Sequence, residues 1–182
     1  MPELPEVETV RRSLEPNLIN KKIADVKVNL PKLIKIPSGD EETFKTNLTG
    51  RQFKTIKRRG KYLLFYLDQG WVLVIHLRMT GRLIYLDKHL PVEKHTHFIF
   101  YLDDGTQLRF HDVRQFGLIY LVKEEDLDTI GGLKTMGPEP LSADFTYQCF
   151  KTSLNGKKQR AKAFLLDQRC VAGIGNIYAD EI

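Results

Sequence analysis

The residues with the sharpest chemical content open the chain: Met1-Pro2-Glu3-Leu4-Pro5-Glu6. A small residue at position 2 permits removal of the initiator methionine, which leaves Pro2 with a free secondary amine. An α-amino group titrates near about 7.7 to 8.0, so at pH 7 part of it is neutral and can attack the anomeric carbon of a sugar. The resulting iminium is permanently cationic, acidifies the neighbouring C–H and allows β-elimination of a 3′ phosphate. Glu3 adjoins the amine and is placed to donate a proton to the sugar or to a departing base; Glu6 is a further carboxylate candidate in the same stretch. The same residues also suit a plain helix start, with prolines in the first turn and Glu3 complementing the dipole.

Other candidates lie in basic and glycine-rich stretches. Arg51, Lys54, Lys57, Arg58, Arg59 and Lys61 fall within eleven residues that contain no acid, and Lys157, Lys158, Arg160 and Lys162 form a second cluster. Together with a formal charge of +5 they suggest a footprint on a polyanion such as nucleic acid. Gly173-Ile174-Gly175-Asn176 suits a phosphate: glycines permit close backbone approach, a helix N-terminus offers N–H groups, and Asn176 adds an amide donor. The motif is equally a simple helix cap. His95 and His97 share a strand face and, with His111, raise a metal reading that no further ligand pattern accompanies. The two cysteines, Cys149 and Cys170, have no CxxC or histidine partner, so neither a disulfide framework nor a thiolate zinc site is legible and a reducing cytosol fits. No apolar run is long enough to span a bilayer, and the acidic start excludes a signal peptide; a soluble, cytoplasmic protein is expected.

These residues need elements to hold them. Leu4, Val7, Val10, Leu14 and Leu18 recur at helical spacing. From about Lys22 to Val122 the pattern shortens to β-type runs (IADVKV, KYLLFYL, WVLVIHL, RLIYL, HFIFYL, QLRF, GLIYLV) separated by turns such as Asp68-Gln69-Gly70 and Asp103-Asp104-Gly105, which predicts a sandwich or barrel. Gly137-Pro138-Glu139-Pro140 reads as a linker. Beyond it, Asp144 is expected to cap a helix from Phe145 to about Leu154, a second runs from about Gln159 to Gln168, and a third opens at Gly173–Asn176.

The segments PELPEVETV, RRGKYL, HLRMTGRL, KHTHF, DVRQFG, TMGPEPLS and VAGIGNIYADE occur in the order found in bacterial formamidopyrimidine-DNA glycosylase, and the resemblance covers essentially the whole chain. Leu4 favours this purine-directed branch over the related endonuclease VIII branch, which starts PEGPE. The resemblance implies an α+β fold: an N-terminal helix plus β-sandwich over 1–136, a linker at 137–143, and the first part of a helix-two-turn-helix DNA-binding domain at 144–182. It implies a base-excision-repair glycosylase and AP lyase acting on oxidised purines in double-stranded DNA, as a monomer. Pro2 would then be the nucleophile, Glu3 the acid and Lys61 the lysine beside the damaged nucleotide. Met79, Arg114 and Phe116 would be the wedge that fills the gap left by the extruded base. His95, Lys157, Lys158, Gly175 and Asn176 would be DNA contacts.

From residues alone, Lys61 is also an ordinary phosphate-binding lysine, and Met79 and Phe116 also read as core flanking glycine turns. The family continues into a four-cysteine zinc finger that these residues lack, so the resemblance implies a shortened chain without the usual zinc ligands, with weaker DNA binding and impaired δ-elimination. A non-catalytic DNA-binding module on the same scaffold is the rival reading. An RNA-binding barrel is disfavoured because no aromatic stacking platform is evident.

Overall fold

The helical spacing at the N-terminus is realised as α1, Leu4–Leu18, which buries Val7, Leu14 and Leu18. Pro5 is tolerated in its first turn, where the missing N–H has no acceptor in any case. The computed structural model describes all residues 1–182. After α1 the chain forms two four-stranded antiparallel sheets. One runs in the order β1 (Ile23–Val28), β6 (Thr96–Leu102), β7 (Thr106–His111), β5 (Arg82–Asp87). The other runs β2 (Phe53–Arg59), β3 (Tyr62–Leu67), β4 (Trp71–His76), β8 (Leu118–Lys123). The expected sandwich is therefore present, preceded by a helix and followed by helices.

The runs KYLLFYL and WVLVIHL lack polar alternation because both faces of their sheet are covered. Alternate residues serve two cores: Leu63, Phe65, Leu67, Leu73 and Ile75 point between the sheets, while Tyr62, Leu64, Val72 and Val74 point outward. The outward layer is covered by Leu127, Ile130, Leu133 and Met136, from a segment containing α3 (Gly131–Lys134).

Two elements inside the β-region differ from expectation. Residues Glu41–Leu48 form a helix, α2, whose cap Asp40 accepts from the Thr43 N–H at 2.8 Å and whose Phe44 and Leu48 are buried. Only those two side chains face the core, too few for a helical period to show. Strand β2 is hidden in the basic run, since of its seven residues only Phe53 and Ile56 are buried apolar. That run is also not one DNA-facing patch. Arg58 pairs with Glu139 at 2.6 Å and Glu8 at 3.2 Å, and Arg59 donates to the carbonyls of Met136 and Gly137 at 2.9 and 2.7 Å. Arg58 and Arg59 clasp the segment that reads as a linker.

The C-terminal helices are shorter than the sequence predicts. α4 is Tyr147–Leu154, capped by Thr146, whose hydroxyl accepts from the Cys149 N–H; Asp144 is not the cap. α5 is confined to Ala161–Leu166, and α6 is Asn176–Glu181. They enclose a small core of Phe164, Cys170, Val171, Ile174 and Ala179, with Phe150 edge-on to Phe164 at 5.6 Å. No helix is long and apolar enough to cross a membrane.

Because this core rests on so few side chains, Phe164→Ala, a truncation costing about 3 to 5 kcal/mol, should open it locally. Hydrogen exchange is expected to accelerate throughout 145–182 while the sandwich amides keep their protection. Equal acceleration in both regions would show that they unfold as one unit.

Candidate active site

Glu3 is 2 % exposed, and its carboxylate accepts three hydrogen bonds from the far end of the chain, which leaves one of its acceptor sites open. Oε2 accepts from the Gly175 N–H at 2.7 Å and from the Tyr178 N–H at 3.3 Å, and Oε1 accepts from the Ile177 N–H at 2.9 Å. These amides belong to the first turn of α6, where backbone donors have no acceptor within the helix and the dipole favours negative charge. Glu3 is thus cap and counter-charge for a helix 172 residues away. Its own N–H donates to Glu6 Oε2 at 2.8 Å, Tyr178 Oη donates to Glu6 Oε1 at 3.3 Å, and the Leu4 N–H donates to the Gly173 carbonyl at 3.1 Å. Glycine is required for this approach: a Cβ on Gly175 would lie 2.4 Å from Glu3 Cδ. One expectation is corrected here. The Gly175 N–H is not free for a phosphate because Glu3 takes it, whereas the exposed Asn176 remains available.

Beside this clasp lies a cavity of about 350 Å³ whose walls include Met1, Lys61, Tyr62, His76, Arg78 and Asn176. Lys61 follows Gly60, which turns between β2 and β3 at φ +54° and donates its N–H to Glu139 Oε1 at 2.6 Å. Burial holds the Lys61 ammonium below its ordinary pKa; the carboxylate of Glu3 opposes this, and the Arg78 charge reinforces it. His76 is held down to about 3 by burial, with Arg78 and Lys61 adding repulsion, so it is neutral at physiological pH. Its Nδ1 accepts from the Arg78 N–H at 3.0 Å, which leaves the ring proton on Nε2. Tyr62 packs edge-on against it at 4.5 Å. Sequence reasoning missed His76 and Arg78, although both lie in HLRMTGRL; the only signal was a histidine closing an otherwise apolar strand and an arginine in the turn just beyond it.

A second cavity of about 400 Å³ shares Met1 and Arg78 with the first and is also lined by Met79, Gln115 and Phe116. Met79 and Phe116 are 41 % and 49 % exposed, so neither is core, and the Arg114 guanidinium lies 4.7 Å over the Phe116 ring. Lys61 and Asn176 in the first cavity and Met79 and Phe116 in the second thereby share Met1, at the N-terminus that Glu3 anchors to α6. His95, Lys157 and Lys158 line neither cavity; the lysines are exposed in the loop after α4, and His95 is half-buried.

The metal reading of the histidines fails on their geometry. His97 is buried with Nε2 at 2.8 Å from the Asp112 carbonyl, and the His95 ring lies 6.4 and 6.1 Å from those of His97 and His111. No group of three or more histidine, cysteine or acidic side chains is arranged to hold a metal. With only Cys149 and Cys170 present, residues 1–182 do not fit the four-thiolate zinc site that the resemblance implies.

Residues 1–119 match the formamidopyrimidine-DNA glycosylase N-terminal domain, and residues 136–182 match the formamidopyrimidine-DNA glycosylase H2TH domain. The chain belongs to the formamidopyrimidine-DNA glycosylase family. It is 54 % identical over 182 residues to the formamidopyrimidine-DNA glycosylase of Desulforamulus reducens and 50 % identical to that of Moorella thermoacetica, covering all of this chain and 65 % and 66 % of those proteins. It therefore spans about two-thirds of the length of the curated relatives it matches. Solved structures of the Lactococcus lactis protein superpose with a TM-score of 0.92 over 99 % of this chain. One, 38 % identical and covered over 65 % of its length, is a complex with DNA containing an abasic site; another, 39 % identical and covered over 66 %, is a complex with DNA containing an oxidised pyrimidine.

Two outcomes are expected of this site. In Gly175→Ala the new methyl must displace the Glu3 carboxylate, so the Ile177 and Tyr178 amides should exchange about tenfold faster; unchanged exchange would mean that Glu3 is not their acceptor in solution. For His76, the folded pKa of about 3 lies below its ordinary 6.5. Its contribution to stability is complete above pH 6.5 and is lost as pH falls toward 3, because the unfolded chain takes up the proton first. His76→Gln should therefore show a shallower acid-side fall in urea midpoint.

Proposed function

We propose that this chain carries the catalytic machinery of a bifunctional DNA glycosylase and AP lyase that removes oxidised purines, 8-oxoguanine and formamidopyrimidines, from double-stranded DNA. The single observation that carries the reading is the convergence of Glu3, Lys61 and Asn176 with the N-terminal residues beside one cavity, next to exposed Met79 and Phe116. Membership of the family and the DNA-bound Lactococcus lactis neighbours support it. The reading includes a division into a catalytic part (1–136), a linker (137–143) and a DNA-clamping part (144–182), and bacterial cytoplasm as the compartment.

Once Met1 is removed, the Pro2 nitrogen attacks C1′ of the damaged nucleotide. The C1′–N bond breaks, and the base leaves with the bonding pair and takes up a proton. The ring opens to an iminium, a proton is lost from C2′, and the 3′ phosphate departs by β-elimination; water then releases Pro2. Glu3, fixed as an acceptor of three backbone N–H bonds, relays the amine proton to the opening sugar and faces the iminium charge. Glu6 buttresses Glu3 through its N–H. Lys61, with its ammonium disfavoured by burial, exchanges a proton with the base or C2′ more readily than an exposed lysine. Met79, Arg114 and Phe116 form the wedge: Phe116 inserts between bases, where stacking is worth about 1 to 3 kcal/mol, Met79 fills the vacated space, and Arg114 meets the orphaned base. His95, Lys157, Lys158 and Asn176 bind phosphate.

The alternative is a DNA-binding fragment without lyase chemistry: while Met1 is attached, the Pro2 nitrogen is an amide and cannot form an iminium. Borohydride trapping on duplex DNA with an abasic site separates the two. The chain lacking Met1 should give a covalent adduct that peptide sequencing maps to Pro2 and that disappears when Met1 is retained. Binding without any adduct would establish the alternative, and an adduct indifferent to Met1 would remove Pro2 from the mechanism.

A further inference from the structure

Asp112 is completely buried and takes part in no ion pair, an expensive arrangement for a carboxylate. What it accepts instead are hydrogen bonds from two separate loops. The Thr80 hydroxyl donates to Oδ1, and the Gly117 N–H donates to Oδ2 at 2.8 Å. Thr80 in turn accepts from the Arg114 N–H at 3.0 Å. Thr80 follows Met79 in sequence and Gly117 follows Phe116, so Met79 and Phe116 each adjoin a residue bonded to this side chain, and Arg114 is tied to it through Thr80.

The main chain of Asp112 extends the same node. Its N–H donates to the His95 carbonyl at 3.0 Å, and its carbonyl accepts from the Gln115 N–H at 3.3 Å and from His97 Nε2 at 2.8 Å. Five residues other than glycine have positive φ in this protein, and three of them, Arg78 (+55°), His95 (+68°) and Gln115 (+56°), lie in the loops that meet here. Side chains other than glycine rarely adopt that region unless surrounding contacts enforce it. Gly117 is needed for the approach: a Cβ there would lie 2.4 Å from the Phe110 ring and 3.2 Å from Asp112 Oδ2.

We propose that Asp112, acting through Thr80, is the positioning residue of the wedge, holding Met79, Arg114 and Phe116 from two loops in one register before DNA arrives. The inference rests on the function proposed above. It adds that the wedge is preorganised by a buried carboxylate, so that base extrusion does not also have to order the loops.

The test uses Thr80→Val, which removes the hydroxyl and keeps the shape, with Thr80→Ser restoring it; this choice avoids Asp112→Ala, which strips the acceptor from two buried donors at once. The first readout is the fluorescence of 2-aminopurine placed opposite a tetrahydrofuran abasic analogue in duplex DNA, which reports unstacking of the orphaned base without any chemistry. The second is borohydride trapping on abasic DNA, duplex against single-stranded, since a single strand has no orphaned base to displace. Thr80→Val is expected to weaken the fluorescence change and duplex trapping about five- to tenfold, to trap single-stranded DNA as the wild type does, and to be rescued by Thr80→Ser. Wild-type behaviour of Thr80→Val, or equal loss on duplex and single strand, would overturn the positioning role. Absence of trapping by the wild type on every substrate would instead count against the proposed function, and the fluorescence comparison would still decide the role of Asp112.

Discussion

The interaction on which the rest of the site depends is the hydrogen bonding of the Glu3 carboxylate to the first turn of α6. A buried carboxylate needs donors, and a helix start has donors without acceptors; each meets the other's requirement. The consequence is positional. The N-terminal residues, which would otherwise fray, are held against the C-terminal helices, and the seam between them is where the Lys61 cavity lies. Glycines at 173 and 175 are needed there because Leu4 and Glu3 fill the space that side chains would take.

A second constraint comes from burying cationic groups near one another. Lys61 and His76 both sit beside Arg78, and burial lowers both pKa values, leaving His76 neutral and making the Lys61 proton easier to lose. Glu3 opposes this at Lys61 but does not overcome it, so desolvation sets the direction. The two arginines just before Gly60, Arg58 and Arg59, are instead consumed in ion pairs and carbonyl contacts with Glu8, Met136, Gly137 and Glu139, which fasten the β2–β3 turn to the segment leading into the helices. Neighbouring basic residues in one run thus meet opposite electrostatic environments, according to which face of the strand or turn they occupy.

Much of the fold was legible because burial imposes a period. The first helix shows its apolar stripe, and seven of the eight strands show as apolar runs. α2 and β2 were not legible, since each commits only two side chains to the core and the rest of their residues are polar. Among site residues, Pro2, Glu3 and Lys61 stood out by type and neighbourhood. His76 and Arg78 did not, because a polar residue at a strand end or in the turn after it carries no mark of the cavity it faces.

By itself the sequence determined the class of fold, the family through an ordered set of motifs, and the inventory of chemically capable groups, all of which depend on local pattern and composition. Only the tertiary structure decided which groups share a space. Whether Met79 and Phe116 are core or surface, whether the Gly175 N–H is free, and whether Arg58 faces DNA or Glu139 all depend on contacts between residues far apart in the chain. Local periodicity holds no information about such contacts, because they arise from how the sandwich and the helices close on each other.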